Sequence, residues 1–228
     1  MITITGKNKI ELDDVLFGDV WVCSGQSNMD MGIKSIQDAP KEIAAANYPQ
    51  IRLLWVPYKT SSKPLDDADV AWLPCSPQSI ASRGWFGGGF SAVAYFFGRD
   101  LHKELNVPIG VIHTALGATR IEPWTPREGF ALDPKFKDAI KQIDEATPNY
   151  NKTLAKTITE YEAWVAKARA ALDAGNNAPP PPEWPKHPLD NSGQPTGLYN
   201  AMIHPLTRFA IRGAIWYQGE ANCSGGGA

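Results

Sequence analysis

The sequence predicts an α/β fold with a doubly wound parallel sheet, on three observations. Four short apolar runs read as buried strands, an amphipathic helical stretch lies between two of them, and glycine-bearing or polar turns follow three of the strand ends. Strand, helix and strand in that order favour parallel pairing, which gathers the turns at one edge of the sheet.

The elements follow in chain order. Ile2 and Ile4, then Ile10 and Leu12, mark two short edge strands that lead through Val15-Leu16-Phe17 into the buried run Val20-Trp21-Val22-Cys23. Cys23-Ser24-Gly25 ends that strand, and Gln26 to Met31 turns into a helix. Ile51 to Val56, β-branched at both ends and closed by Pro57, is a second interior strand. Pro64 to Arg83 carries no sustained period. Phe90, Val93, Ala94, Phe97, Leu101 and Leu105 have helical spacing, with Ser91 as N-cap and Pro108 beyond the end. Ile109 to Thr114 and Gly213 to Gln218 complete the set of strands. Between these two lies a helical excursion at about 131–175: Phe136, Ile140 and Ile143, then Leu154, Ile158, Tyr161, Val165, Ala168 and Leu172, with Pro148-Asn149 as the break of a helical hairpin. Gly175 ends it, and 179–188, opening on four prolines, forms a stiff connector back to the core.

At 228 residues the chain suits one sizeable domain, 1–228, and with 43% apolar and 20% charged residues it excludes disorder, collagen and coiled coil. A net charge of -2 provides no cationic field for nucleic acid or anionic lipid, so the expected partner is a neutral or small substrate. Cys23, Cys75 and Cys223 match no short-spaced zinc pattern and are expected as reduced, mostly buried thiols. No apolar stretch reaches the roughly 18 residues of a membrane span, and Met1 to Gly6 lacks the features of a leader. The compartment is not encoded in any motif of the chain.

Three turns could carry chemistry. Gly25-Gln26-Ser27-Asn28-Met29 puts the Ser27 hydroxyl at a strand-to-helix turn, as a nucleophile in a helix N-terminal field or as a plain N-cap. Met29 stands where the nucleophile elbow of α/β-hydrolases has its second glycine, which disfavours that fold. Gly117, just past the third strand, allows a backbone N–H to approach a developing oxyanion, or is simply a turn. Gln218 and Asn222, past the fourth strand, carry uncharged amide donors. A parallel sheet would bring the three turns together.

These segments resemble the sialate O-acetylesterase family of SGNH-type hydrolases. The resemblance lies in Val20-Trp-Val-Cys-Ser-Gly-Gln-Ser-Asn-Met29, Phe90-Ser-Ala-Val-Ala-Tyr-Phe-Phe-Gly98, Gly117-Ala-Thr-Arg-Ile-Glu-Pro-Trp124, Leu198-Tyr-Asn-Ala-Met-Ile203 and Ile215-Trp-Tyr-Gln-Gly-Glu-Ala-Asn222. It implies a flavodoxin-like three-layer α/β/α fold and hydrolysis of acetyl esters on sugars such as sialic acid or acetylated xylan, with no metal or organic cofactor. It further implies Ser27 as nucleophile, Gly117 as oxyanion glycine, Gln218 as the third donor with Asn222 as the alternative, and Glu220 as an orienting residue. Gln26, Arg120 and Glu220 fall on the substrate side, Arg120 because a guanidinium suits a sugar carboxylate, although a structural pair with Glu122 or another acid suits it too.

The sequence departs from that pattern in one respect. The family's Asp-x-x-His block, which supplies the general base, is not present in these 228 residues. The reading is therefore of an incomplete domain, or of one chain of a pair in which a complementing chain lends the Asp and His. Among in-chain histidines, His113 reads as a satisfied core residue, His102 as part of a solvated helix face, His187 as unplaced after the connector, and His204 as the nearest stand-in. Trp85, Trp124 and Trp216 could stack on sugar or pack the rim. Gly87-Gly88-Gly89 lacks the following Lys of a phosphate loop, and Asn151-Lys-Thr153 and Asn222-Cys-Ser224 are glycosylation patterns only. The rival readings are a non-catalytic carbohydrate-binding or assembly module and a broader SGNH lipase or thioesterase.

Overall fold

The computed structural model describes residues 1–82, 84 and 88–223. The chain divides into two compact units: residues 1–58, 66–121 and 205–228 form the first, and residues 59–65 and 122–204 the second. The excursion is thus wider than 131–175 and recruits a short loop from the first half of the chain.

The first unit begins with a separate two-stranded antiparallel sheet, β1 (Ile2–Thr5) and β2 (Lys9–Leu12), with Ile2 opposite Leu12 and Ile4 opposite Ile10. These strands pair only with each other; they are not edges of the main sheet. The main sheet holds β3 (Asp19–Gly25), β4 (Tyr48–Trp55), β5 (Leu73–Cys75), β6 (Ile109–Ala115) and β7 (Gly213–Tyr217) in the order β5-β4-β6-β3-β7. The four runs read from the sequence pair in parallel, β3 lying between β6 and β7. The sheet as a whole is mixed, because β5 joins β4 antiparallel at the far edge. Three residues with a proline in the middle are too few to show a period, and an edge is where a strand can tolerate Pro74.

The sheet is flanked by short helices α1 (Ser27–Asp30), α2 (Ala39–Ala45) and α3 (Pro77–Ser82) and by α4 (Ala92–Leu105). Ser91 caps α4 as its spacing predicts: its Oγ accepts from the Ala94 N–H at 3.1 Å and donates to the Met29 carbonyl at 2.6 Å, so one side chain starts α4 and fixes α1 beside it. At Gly98 a Cβ would stand 2.9 Å from Val111 Cγ1, so α4 runs close over β6 because that residue has no side chain. Ile33, Ile51, Ile80, Phe90, Tyr95, Ile109 and Val111 fill the core between these layers.

In the second unit the short helix α5 (Arg127–Phe130) precedes α6 (Lys137–Asp173), one continuous helix of 37 residues running through Pro148. The expected hairpin is therefore absent. The buried positions of α6 are Ala146, Thr157 and Ala168, eleven residues apart, which is three helical turns and one face. Ile158, Val165 and Leu172 of the expected stripe are exposed. The connector is fastened to the helix by polar tips of aromatic residues, the Tyr161 hydroxyl donating to the Pro182 carbonyl at 2.7 Å and Trp164 Nε1 to the Pro179 carbonyl at 2.8 Å. Arg127 grips Asp144 on α6 with two bonds of 2.6 Å. These anchors offset the backbone hydrogen bond that Pro148 cannot donate. A five-residue π-helical turn, Tyr199–Ile203, closes the unit.

Candidate active site

The site is built at the C-terminal ends of β3, β6 and β7. Gly25 ends β3 at φ +138°, and a Cβ there would lie 2.0 Å from the Tyr217 carbonyl oxygen. Only glycine allows the two strands to approach so closely before the chain turns. The Gln26 N–H then donates to that same carbonyl at 2.9 Å, and Ser27 opens α1. Ser27 is half-buried, with Met29 and Asp30 beneath it fully buried. No side chain caps α1, so Ser27 does not act as its N-cap; Gln26 holds that position.

Gly117 sits directly against this turn. A Cβ built on it would be 3.5 Å from Ser27 Cβ and 3.7 Å from Ser27 Cα, so the backbone of the second turn borders the nucleophile candidate. The Leu116 N–H donates to the Gly25 carbonyl at 3.1 Å, which extends the β3–β6 ladder up to the site. The third turn is bound to both others. Gln218 Nε2 donates to the Thr119 carbonyl at 3.1 Å and to Asn222 Oδ1 at 2.8 Å. Asn222 Oδ1 also accepts from the Ile121 N–H at 3.0 Å. In the last helical turn, α7 (Glu220–Cys223), the Ala221 N–H donates to Gln26 Oε1 at 3.3 Å, and Glu220 Oε1 accepts from Asn28 Nδ2.

This network redistributes the roles read from the sequence. Both amide hydrogens of Gln218 are used by protein acceptors, so it has none to offer an oxyanion in this geometry. Its bond instead fixes the amide of Asn222, with the oxygen turned to Gln218 and Ile121. Gln26 is 4% exposed and its oxygen is committed to α7, so it holds turns together rather than facing substrate. Glu220 is bound to the Asn28 amide. Arg120 is exposed and has no ion pair among the described residues. Thr119, which no motif singled out, supplies the carbonyl that positions Gln218; its signal was only its place two residues after Gly117.

Every histidine has a defined environment. His113 Nε2 lies 3.3 Å from Asp30 Oδ1, both side chains wholly buried. The contact is close enough to be ionic, yet not aligned as a hydrogen bond, and among the described residues neither ring nitrogen nor either carboxylate oxygen has another partner. His113 is thus a core residue, as its strand position predicts, with Asp30 as its polar neighbour and no hydrogen bond to its ring among the described residues. His102 Nδ1 donates to the Val107 carbonyl at 2.8 Å, and His204 Nδ1 to the Leu65 carbonyl at 2.8 Å. His187 Nδ1 accepts from the Leu189 N–H at 3.2 Å. Trp124 is buried and Trp216 is 42% exposed; Trp85, Gly87 and Ser224 lie outside the described residues. Burial pushes the thiols of Cys23 and Cys75 up to about 12. Among the described residues no group of three or more His, Cys, Asp and Glu is arranged to hold a metal ion, and no helix is long and apolar enough to cross a membrane.

Comparison with known proteins places the chain in a family. Residues 17–172 match the family described as carbohydrate esterase, sialic acid-specific acetylesterase. The sialate O-acetylesterase of Mus musculus is 34% identical over 223 residues, covering 93% of this chain and 37% of the mouse protein. That of Homo sapiens is 31% identical over 218 residues, covering 93% and 33%. The crystal structure of a carbohydrate acetylesterase from Xanthomonas citri superposes with a TM-score of 0.63 at 31% identity, over 97% of this chain and 37% of that one. The chain thus spans about a third of the length of the relatives it matches.

Proposed function

Because this chain belongs to the sialic acid-specific acetylesterase family of carbohydrate esterases, we propose that it carries the nucleophile and oxyanion machinery of a serine O-acetylesterase acting on acetylated carbohydrate. The observation that carries the reading is the abutment of Gly117 on Ser27, a half-buried serine at a helix start with an unobstructed backbone beside it. Ser27 Oγ attacks the acetyl carbonyl, its proton passing to a base, and the sugar hydroxyl departs from the tetrahedral intermediate. Water then releases acetate from the acyl-enzyme. The developing oxyanion is held by the N–H groups of Ser27 and Gly117 and by the Asn222 amide, which Gln218 orients. Each such donor contributes about 2.7–4 kcal/mol to the transition state. Arg120, exposed beside the Gly117 turn, is suited to a sugar carboxylate.

The base in this reading is an imidazole from outside these 228 residues, on a further stretch of chain or a complementing one, since the sequence holds no Asp-x-x-His. Replacing Ser27 with Ala in the full-length protein should lower acetate release from an aryl acetate by about 10⁴-fold or more. Unchanged turnover would remove the proposal. The engagement of all four histidines elsewhere favours a second reading, a carbohydrate-binding module without turnover. Calorimetric binding of acetylated sugar by the full-length protein, with no acetate released, would select it.

A further inference from the structure

A cavity of about 650 Å³ contains none of the residues of the Ser27 site; it is lined entirely by the second unit. We infer that it is a binding site for an acidic, carboxylate-bearing saccharide. Its volume is that of a small-molecule site rather than of a single ion, for which about 300–1,000 Å³ is usual.

Three segments make its wall, and each is pinned. Residues 59–65 are stitched to the 196–204 segment by the Ser61 N–H donating to the Gly197 carbonyl at 3.1 Å and the Leu65 N–H to the Asn200 carbonyl at 2.8 Å. The connector is held to α6 through Tyr161 and Trp164, as described. The helix contributes Thr147, Tyr150 and Asn151, which the spacing of three and four residues puts on one face. At the join stands His187. Because a backbone N–H donates to its Nδ1, that nitrogen is bare, and Nε2 carries the proton that bonds Thr147 Oγ1 at 3.1 Å. Burial lowers its pKa further, and the Lys63 charge adds to this, while Asp190 opposes. The lining here is therefore a neutral imidazole with the Tyr150 ring centred 4.9 Å away.

The charge is on the rim. Lys59, Lys63 and Lys186 line the cavity against one carboxylate, Asp190, and among the described residues none of the three lysines has an acid within 4.0 Å. Three ammonium groups left without a protein partner around one concavity attract an anion. Trp184, 52% exposed, is braced edge-on by Tyr161 at 5.5 Å and so offers indole surface at little conformational cost. Indole and phenol rings receive the C–H face of a pyranose, the Asn151 amide and Thr60 and Ser62 hydroxyls suit its ring hydroxyls, and mobile ammonium groups suit its carboxylate. A net charge of -2 over the whole chain argues against a nucleic-acid strand as the occupant.

The site is independent of the Ser27 chemistry, so its test is run on the Ser27→Ala protein as well as on the native one. Trigalacturonate is titrated by calorimetry and tryptophan fluorescence against xylotriose, inorganic phosphate and a thymidine oligonucleotide. Trigalacturonate should bind equally to the native and Ser27→Ala proteins and weaken as salt rises. Lys63→Gln with Lys186→Gln, and separately Trp184→Ala, should each weaken it by about tenfold with unchanged melting temperature. Equal binding of xylotriose, competition by phosphate at the same concentration, tighter binding of the oligonucleotide, or no trigalacturonate binding at millimolar concentration would each overturn the inference. So would affinity that the Lys and Trp184 substitutions leave untouched.

Discussion

Replacing Gly25 with Ala should destabilise the first unit severely without removing any polar side chain of the site. The new methyl would stand 2.0 Å from the Tyr217 carbonyl oxygen and 2.6 Å from its carbon, whereas real Cβ contacts essentially never fall below 3.0 Å. One strand must therefore retreat by about 1 Å, which strains the close-packed sheet by about 1–3 kcal/mol. The retreat also weakens the 2.9 Å bond from the Gln26 N–H to that carbonyl, about 1 kcal/mol. A φ of +138° adds about 1–3 kcal/mol for any residue with a Cβ. The total, about 3–7 kcal/mol, is a large part of the roughly 5–15 kcal/mol that holds a domain folded. Urea unfolding followed by circular dichroism should show the midpoint falling by at least about 1 M, taking a slope of about 1–3 kcal/mol/M. Gly117→Ala is the matched control, since its methyl would meet Ser27 Cβ at an ordinary 3.5 Å and its φ is not in the left-handed range. It should shift stability by no more than about 1 kcal/mol. A loss below about 1 kcal/mol for Gly25→Ala, or equal losses for the two, would refute the close approach of β3 and β7.

Two further outcomes are expected. Of three cysteines, only Cys223 is exposed, while burial holds the Cys23 and Cys75 thiols protonated, so Ellman's reagent at neutral pH should titrate one thiol in the native protein and three in denaturant. His187 has a folded pKa below its ordinary 6.5, so the unfolded chain binds the extra proton first and stability falls as pH drops from about 6.5 toward the depressed value. A His187→Gln variant should flatten the pH dependence of the melting temperature in that window, and an unaltered slope would contradict the assignment of a partly buried, neutral ring.

Much of this was legible because burial and period are local properties. The apolar runs at Val20, Ile51, Ile109 and Gly213 became β3, β4, β6 and β7 with boundaries moved by a few residues, and Ser91 capped α4 because a serine before an apolar period satisfies the first free N–H groups. The antiparallel β5 was not legible, since three residues carry no period. Pro148 read as a break because the sequence shows the lost hydrogen bond but not the anchors at Asp144, Tyr161 and Trp164 that hold the helix through it. In the site, the turn tips could be named from strand ends, yet the division of labour between Gln218 and Asn222 depends on the Thr119 carbonyl 99 residues away. The lysine-rimmed cavity joins residues near 60, 150 and 186, which no spacing rule connects.

The buried contact between Asp30 and His113 has a consequence for how this protein can change over time. Both side chains are wholly buried, and among the described residues the only polar contact of each is the other. Deleting one strands its mate, a cost of about 3–5 kcal/mol for a buried pair, whereas exchanging both for apolar residues of like volume is often neutral or better. The two positions, 83 residues apart in the chain and adjoining beneath the Ser27 turn, are thereby yoked: drift at either is blocked unless both move together, and lineages that cross the gap must do so in a paired step.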